Sequence, residues 1–346
     1  MTDRYSRQKL FKPIGAHGQE KIRSKHALVV GAGALGAGAC EMLVRSGVGK
    51  VTIIDRDYVE WSNLQRQQLY TEEDARLRMP KAVAACQRLK QINSEVNLTP
   101  VVADFFGVDI SAVIQGVNVI IDATDNFETR MYINDISQMY NIPWIYGGCV
   151  GSTGITYTII PGETPCFECL MGKVPFNGDT CDTVGVIGPV VQWVCSQQVT
   201  EALKILVEDF TSLRSTLLFT DLWDNEWSSI KVNTLKREDC PSCGRHPVYP
   251  YLNVNRNTRT TVLCGRDTVQ IRPGKEFHID FEQLKKQFQH TNQQVEANDF
   301  LINIYLNDKR LVVFRDGRAL IHGTKNEQEA KNIYQQWVLP VINNGI

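Results

Sequence analysis

A chain of 346 residues with 43% apolar and 22% charged residues has ordinary globular composition, which excludes a disordered protein and suits one large domain plus a small one. Its 37 basic and 38 acidic residues leave a formal charge of −1, so no global positive field draws it to nucleic acid or anionic lipid. Residues 1–11 are polar and charged, unlike a secretory signal, and the apolar stretch 186–207 is interrupted by Gln192, Gln197, Gln198, Glu201 and Lys204, unlike a membrane span.

Ten cysteines spread through such a chain fit a reducing cytoplasm better than a disulfide framework. Along the chain, the apolar run 27–30 stops at Gly31-Ala-Gly-Ala-Leu-Gly36, after which Cys40, Leu43 and Val44 carry helical spacing to about Ser46. Strand, tight turn and helix are predicted in that order. Residues 51–54 predict the next strand, ending on Asp55 and closing a βαβ unit. Further strands are predicted at 98–102, at 117–121 before Asp122, and at 143–146, where Gly147-Gly148 stops the run. Helices are predicted at 81–92, behind Pro80, and at 128–140.

The alternation then changes. Residues 154–160 read as extended, 161–188 are rich in Pro, Gly and Cys, 186–207 form a buried helix, and strands are predicted at 217–219 and 229–233. Together these predict an α/β protein with a Rossmann-like, doubly wound sheet, mostly parallel, continued by antiparallel strands. The segment 246–251 reads as a linker. Residues 260–346 alternate strand-like runs (261–263, 301–306, 311–314) with helical ones (281–289, 328–338), a small α+β appendage with a hairpin turning at Asp316-Gly317. The expected domains are 1–246 and 260–346, the second without an assigned role.

Gly31-x-Gly33-x-x-Gly36 lets backbone approach a phosphate at a helix N-terminus, and Asp55 closes the next strand where a ribose would lie. Alone, that pattern reads as NAD or FAD binding. A triphosphate that loses pyrophosphate asks for more: cations (Arg66, Lys81), a metal-holding carboxylate (Asp125) and an amide donor (Asn63). Each of these taken singly is more often a surface residue or turn former. Their placement after successive strands favours ATP, with an NAD-dependent oxidoreductase as the alternative.

Two C-x-x-C pairs, Cys166/Cys169 and Cys240/Cys243, have the spacing of a closed four-thiolate Zn2+ site, with a redox pair as the alternative. Cys40, Cys86 and Cys195 fall on apolar helical faces and read as core; Cys149, at a strand end, reads as packing. The six histidines show no ligand spacing and read as surface or turn residues. Cys264 is not placed among catalytic residues, because it ends a β-type run and the tail is small for a rhodanese domain.

Arg4-Tyr-Ser-Arg-Gln8, the glycine turn, Asp55-x-Asp57, Ser62-Asn-Leu-Gln-Arg-Gln67, Pro80-Lys81, Asp122-Ala-Thr-Asp-Asn126 and the cysteine pairs resemble the ThiF/MoeB/HesA adenylyltransferases, relatives of the ubiquitin-activating enzymes, over about residues 4–244. The resemblance implies adenylation of the terminal glycine carboxylate of a ubiquitin-like sulfur-carrier protein, ThiS-like or MoaD-like, for thiamine thiazole or molybdopterin synthesis. A HesA-like activator in peptide modification is a rival within the family. It further implies that Gly31, Gly33 and Gly36 face the phosphates, Asp55 the ribose, and Asn63, Arg66 and Lys81 the triphosphate. Asp57 joins the cofactor-binding set, Asp125 would hold Mg2+, and Arg7 would reach into the neighbouring subunit of a homodimer. A cysteine at the position of Cys181 forms a thioester or persulfide with the carrier in some members; an unreactive loop thiol is the alternative. A sulfur donor such as a cysteine desulfurase follows as a partner, and neither nucleic acid nor membrane does.

Overall fold

The computed structural model describes residues 3–171, 184–252, 259–262, 267–274, 277–288, 291 and 293–343. Cys181 and Cys264 lie outside the described residues. The chain divides into two compact units, Met1–Val254 and Asn255–Ile346.

The first unit is built on an eight-stranded sheet: β1 (His26–Val30), β2 (Lys50–Asp55), β3 (Asn97–Val102), β4 (Val119–Asp122), β5 (Trp144–Val150), β6 (Thr153–Ile159), β7 (Thr216–Asp221) and β8 (Glu226–Lys231). Their order is β3-β2-β1-β4-β5-β6-β7-β8, parallel from β3 to β5 and antiparallel from β5 onward. Successive strand residues point to opposite faces, so Ala27 and Val29 pack with helices Ala34–Arg45, Lys81–Ile92 and Gly188–Leu206, while Leu28 and Val30 pack with helix Phe127–Tyr140. Covering both faces is what makes the parallel strands continuous apolar runs instead of alternating ones.

The second unit is an antiparallel sheet of β9 (Arg259–Val262), β10 (Thr268–Arg272), β11 (Val295–Ala297), β12 (Leu301–Leu306), β13 (Lys309–Phe314) and β14 (Ala319–His322), ordered β11-β12-β13-β14-β10-β9. Ile271, Ile304, Leu311, Val313 and Ile321 share a core with Leu284, Phe288 and Tyr334 of helices Phe281–Phe288 and Glu327–Trp337. The hairpin predicted at Asp316-Gly317 joins β13 to β14, with Gly317 at φ +82°. Among the described residues no helix is long and apolar enough to cross a membrane.

Two sequence expectations are corrected. β5 does not stop at Gly147-Gly148 but runs through both, pairing them with Thr156 and Ile155 of β6. The glycines are there because neighbours come too close for a side chain: a Cβ on Gly147 would lie 2.5 Å from Gln198 Nε2, and one on Gly148 2.9 Å from the Tyr146 hydroxyl.

His26 is not a surface or turn residue. It opens β1, is 6% exposed, and its Nε2 lies 2.9 Å from Thr52 Oγ1 on β2. Burial, reinforced by Lys50, pushes its pKa down to about 4. Unfolded, the ring titrates near its ordinary value of about 6.5, so between the two values the unfolded chain binds more protons and stability falls as pH falls. Relative to His26→Gln, the wild type should lose up to ~3 kcal/mol between pH 7 and pH 4, read from urea midpoints. Parallel stability curves for the two proteins would exclude this titration.

Candidate active site

Strands β2, β1 and β4 are adjacent and parallel, so the loops leaving their carboxyl ends meet on one edge of the sheet. Strand order reverses between β1 and β4, and the crevice at such a reversal is where open α/β sheets take ligands.

Gly31, at φ +96°, has no room for a side chain: a Cβ would lie 2.5 Å from the Ala123 carbonyl oxygen. One on Gly36 would lie 1.9 Å from the Gly31 carbonyl oxygen. These two glycines are demanded by the chain's packing on itself. Gly33 is different, since the nearest atom to a Cβ there is Gln67 Nε2 at 3.9 Å. It caps helix Ala34–Arg45, so the space before it adjoins free N–H groups at the positive end of the helix dipole.

Asp55 Oδ2 accepts from the Ala32 N–H and Oδ1 from the Asp57 N–H, both at 2.6 Å. One carboxylate thus ties the glycine turn to the next loop. Burial raises its pKa, Lys81 opposing and Asp57 reinforcing the rise. Each oxygen keeps a lone pair, which suits a ribose hydroxyl pair.

Lys81 opens helix Lys81–Ile92 and is only 4% exposed, its Nζ lying 3.7 Å from Asp57 Oδ2. A cation at a helix N-terminus works against the helix dipole, and Asp57 offsets it. Asn63 is 1% exposed; its Oδ1 accepts from the Glu60 N–H at 3.0 Å, and its Nδ2 is buried without a hydrogen-bond partner. Arg66 is half-buried and donates to the carbonyl of Ser62 at 2.9 Å.

After β4, the fully buried Asp122 holds the next loop through Oδ1, which accepts from the Thr124 N–H at 2.8 Å and its hydroxyl at 2.7 Å. Arg130, 8% exposed, pairs with Asp122 Oδ2 at 3.3 Å and donates to the carbonyls of Thr124 at 2.6 Å and Gly147 at 3.4 Å. Asn126 caps helix Phe127–Tyr140 by accepting from the Thr129 N–H. Asp125, exposed between these anchors, is close enough to Arg56 and Arg130 to raise the pKa of both, against the lowering effect of their burial. Sequence reading had not singled out Arg130 or Arg56. The signal available was a lone arginine three residues into a helix and another beside Asp55, which has no meaning until Asp122 and Asp104 are known to face them.

Arg7 is not part of this cluster. It is exposed on the short helix Ser6–Leu10, which is pinned where Asn93 Nδ2 donates to the Tyr5 hydroxyl and Gln8 Nε2 donates to the Ser46 carbonyl. Ser46 and Asn93 cap the C-terminal ends of helices Ala34–Arg45 and Lys81–Ile92, whereas the glycine turn and Lys81 lie at their N-terminal ends. Each helix has 12 residues and so is about 18 Å long.

The sulfurs of Cys166, Cys169, Cys240 and Cys243 all lie within 4.8 Å of one another, with Cys166–Cys240 at 3.6 Å and Cys169–Cys243 at 3.5 Å. Tetrahedral Zn–S bonds of about 2.3 Å put sulfurs roughly 3.8 Å apart, so the donor set fits zinc with no position left open. Gly244 allows the second knuckle, because a Cβ there would meet the carbonyls of Cys240 and Glu238 at 2.5 Å. Cys40, Cys86 and Cys195 are buried, as the helical spacing predicted.

A glycine cradle, buried cations and carboxylates at a strand-order reversal mark the class of nucleotide-binding α/β enzymes, and the closed four-thiol site beside them fits zinc. The pattern of the ThiF family matches residues 5–242. A Bacillus subtilis (strain 168) protein named "Sulfur carrier protein ThiS adenylyltransferase" is 50% identical over 98% of this chain and 100% of its own length. The Escherichia coli (strain K12) "Molybdopterin-synthase adenylyltransferase" is 31% identical over 70% of this chain and 96% of its own. Among solved structures, E. coli MccB with succinimide matches with TM-score 0.61 at 21% identity, over 70% of this chain and 74% of that one, a likeness of fold alone. The chain belongs to the ThiF family.

The glycines make a paired prediction. Gly36→Ala should destabilise the fold markedly, since backbone must move, whereas Gly33→Ala should melt like the wild type and lose nucleotide affinity. Equal melting losses in the two variants would show that the space before Gly33 is not a ligand's.

Proposed function

We propose that this chain uses ATP to adenylate the C-terminal carboxylate of a ubiquitin-like sulfur carrier of the ThiS type, releasing pyrophosphate. The observation that carries the reading is the 50% identity, end to end, with a protein named for acting on ThiS. The relative named for molybdopterin synthase reaches only 31% over 70% of the chain, which favours the thiamine-type carrier over the molybdopterin type. An NAD-dependent oxidoreductase is not favoured, and nothing in the site selects HesA-like peptide modification.

A carboxylate oxygen of the carrier bonds to the α-phosphorus of ATP while the bond to the bridging oxygen breaks, its electron pair leaving with pyrophosphate. The attacking acid is already ionised at neutral pH, so no general base is required. Attack of one anion on another is opposed chiefly by charge repulsion, which Lys81 and Arg66 offset while Asn63 donates to a phosphate oxygen. Gly33 lets the backbone approach the phosphates while Gly31 and Gly36 allow the tight packing of the turn behind it, and Asp55, with Asp57, orients the ribose side. Asp125 would hold Mg2+, which neutralises charge on the leaving phosphates. Cys181 belongs to this reading as the thiol that links the carrier for sulfur transfer, the sulfur coming from a donor such as a cysteine desulfurase.

Residues 1–246 make the ATP-using domain. The E. coli (strain K12) ThiS adenylyltransferase matches over 242 residues that take up 94% of its own length, leaving little in it to correspond to a second unit. A reducing cytoplasm suits the four thiols. Bound zinc is structural here, and elemental analysis should find about one per chain, with Cys169→Ser or Cys243→Ser losing both the metal and thermal stability. Freshly purified protein without zinc and with four free thiols would sink that assignment.

Arg7 acts in the partner subunit of a homodimer. Its own cradle is about one 12-residue helix away, and its neighbours Leu10 and Phe11 are 70% and 60% exposed, an apolar surface of the kind a second subunit covers. In ATP–pyrophosphate exchange with a purified ThiS-type carrier, Arg7→Ala and Asp125→Ala should each be inactive by more than tenfold while dimerising normally. Mixed and exchanged, they should recover up to about a quarter of wild-type activity, from heterodimers with one intact site. No recovery under verified subunit exchange refutes the shared site, and near-normal exchange by Asp125→Ala removes Asp125 from the mechanism.

A further inference from the structure

We propose that Gln67 is a further nucleotide contact, its buried carboxamide donating to the phosphate that occupies the space before Gly33. Gln67 is 4% exposed, and its N–H donates to the Asn63 carbonyl at 3.0 Å, so the two side chains stand four residues apart on one face of a single turn. Its Nε2 is the nearest atom, at 3.9 Å, to the point where a Cβ on Gly33 would stand, which makes the carboxamide the wall of the open cradle. Its Oε1 and the Asn63 Nδ2 are both buried without a hydrogen-bond partner.

Folded chains leave few buried polar atoms unsatisfied, and those they leave ask for an explanation. Here one acceptor and one donor stand a turn apart beside a space no side chain fills. A phosphate oxygen entering that space accepts from Gln67 Nε2. Rotation about the terminal torsion of Gln67 is soft, so the same movement can turn Oε1 toward one hydrogen of Asn63 Nδ2, leaving the other for a phosphate oxygen. One ligand atom would then complete a network in which Gln67 Oε1 and Asn63 Nδ2 otherwise lack partners. The inference rests on the ATP reading above and adds to it a residue that enters the sequence motif only as its last letter.

The test is titration calorimetry with ATP and Mg2+, alongside thermal melting without nucleotide, on the full chain. Gln67→Met keeps the length of the side chain and removes its polar atoms. It should weaken ATP binding ~10- to 100-fold, the range for a lost hydrogen bond to a charged group, while melting at or above the wild-type temperature because an unsatisfied amide has gone. Gln67→Glu keeps the shape and adds negative charge, so it should bind ATP more weakly still. ATP affinity unchanged in either folded variant overturns the proposal. So does a lowered melting temperature at unchanged affinity, the mark of a purely structural residue. Wild-type protein that binds NADH instead of ATP would fail the functional reading itself, separately from Gln67.

Discussion

The site depends on carboxylates placed at the ends of parallel strands, where the backbone leaves its hydrogen-bonded ladder and the first N–H groups of the next loop need partners. Asp55 meets that need for Ala32 and Asp57, and Asp122 meets it for Thr124. Gly33 is positioned because Ala32 is held. Asp125 is presented to solvent because Thr124 is held from below, by Asp122 at its N–H and by Arg130 at its carbonyl. Charged acceptors make these bonds stronger than neutral ones, so short loops keep one geometry at the mouth of the crevice.

Asp122 and two neighbouring carboxylates, Asp57 and Asp104, also solve the problem of holding cations in a partly dry crevice. An unpaired buried charge is costly, and the three most buried cations here each have an acidic neighbour: Lys81 with Asp57 at 3.7 Å, Arg56 with Asp104 at 3.1 Å, Arg130 with Asp122 at 3.3 Å. The Lys81–Asp57 pair is the longest of the three. The Lys81 ammonium, which also acts on Asp55, is held less closely than the Arg130 guanidinium, whose pair and carbonyl contacts keep it in the scaffold.

The four cysteines act at a longer range. Cys166 and Cys240 are separated by 74 residues, a span that includes the long helix Gly188–Leu206 and the hairpin of β7 and β8. Closing a span of that length costs chain entropy, and a metal holding both knuckles removes that freedom from the folded state at one point. β8 is exposed along its whole length, so the antiparallel extension has little core of its own at that edge. Zinc held by the four thiols would tie down the segment that follows β8.

Local signals carried a large part of this protein. Alternation of apolar runs with helical spacing located strands β1 to β4 and the helices Lys81–Ile92, Phe127–Tyr140 and Gly188–Leu206 to within two residues, because a strand covered on both faces and a helix of 3.6 residues per turn imprint different periods. The glycine turn, the C-x-x-C pairs and the Ser62 to Gln67 run were legible because each chemistry requires residue types at fixed short spacings. Where two glycines were read as a strand end, and where His26 was read as surface, the deciding facts were Gln198 in one case and Thr52 in the other, both on other elements. Arg130 was silent for the same reason, and Gln67 showed only as the end of a motif. By itself, then, the sequence determined most elements of the larger sheet, the family and the residue types of the site. Only the tertiary structure decided which glycine is open, which cation is paired and which amide is orphaned, because those depend on distances of a few ångströms between segments remote in the chain.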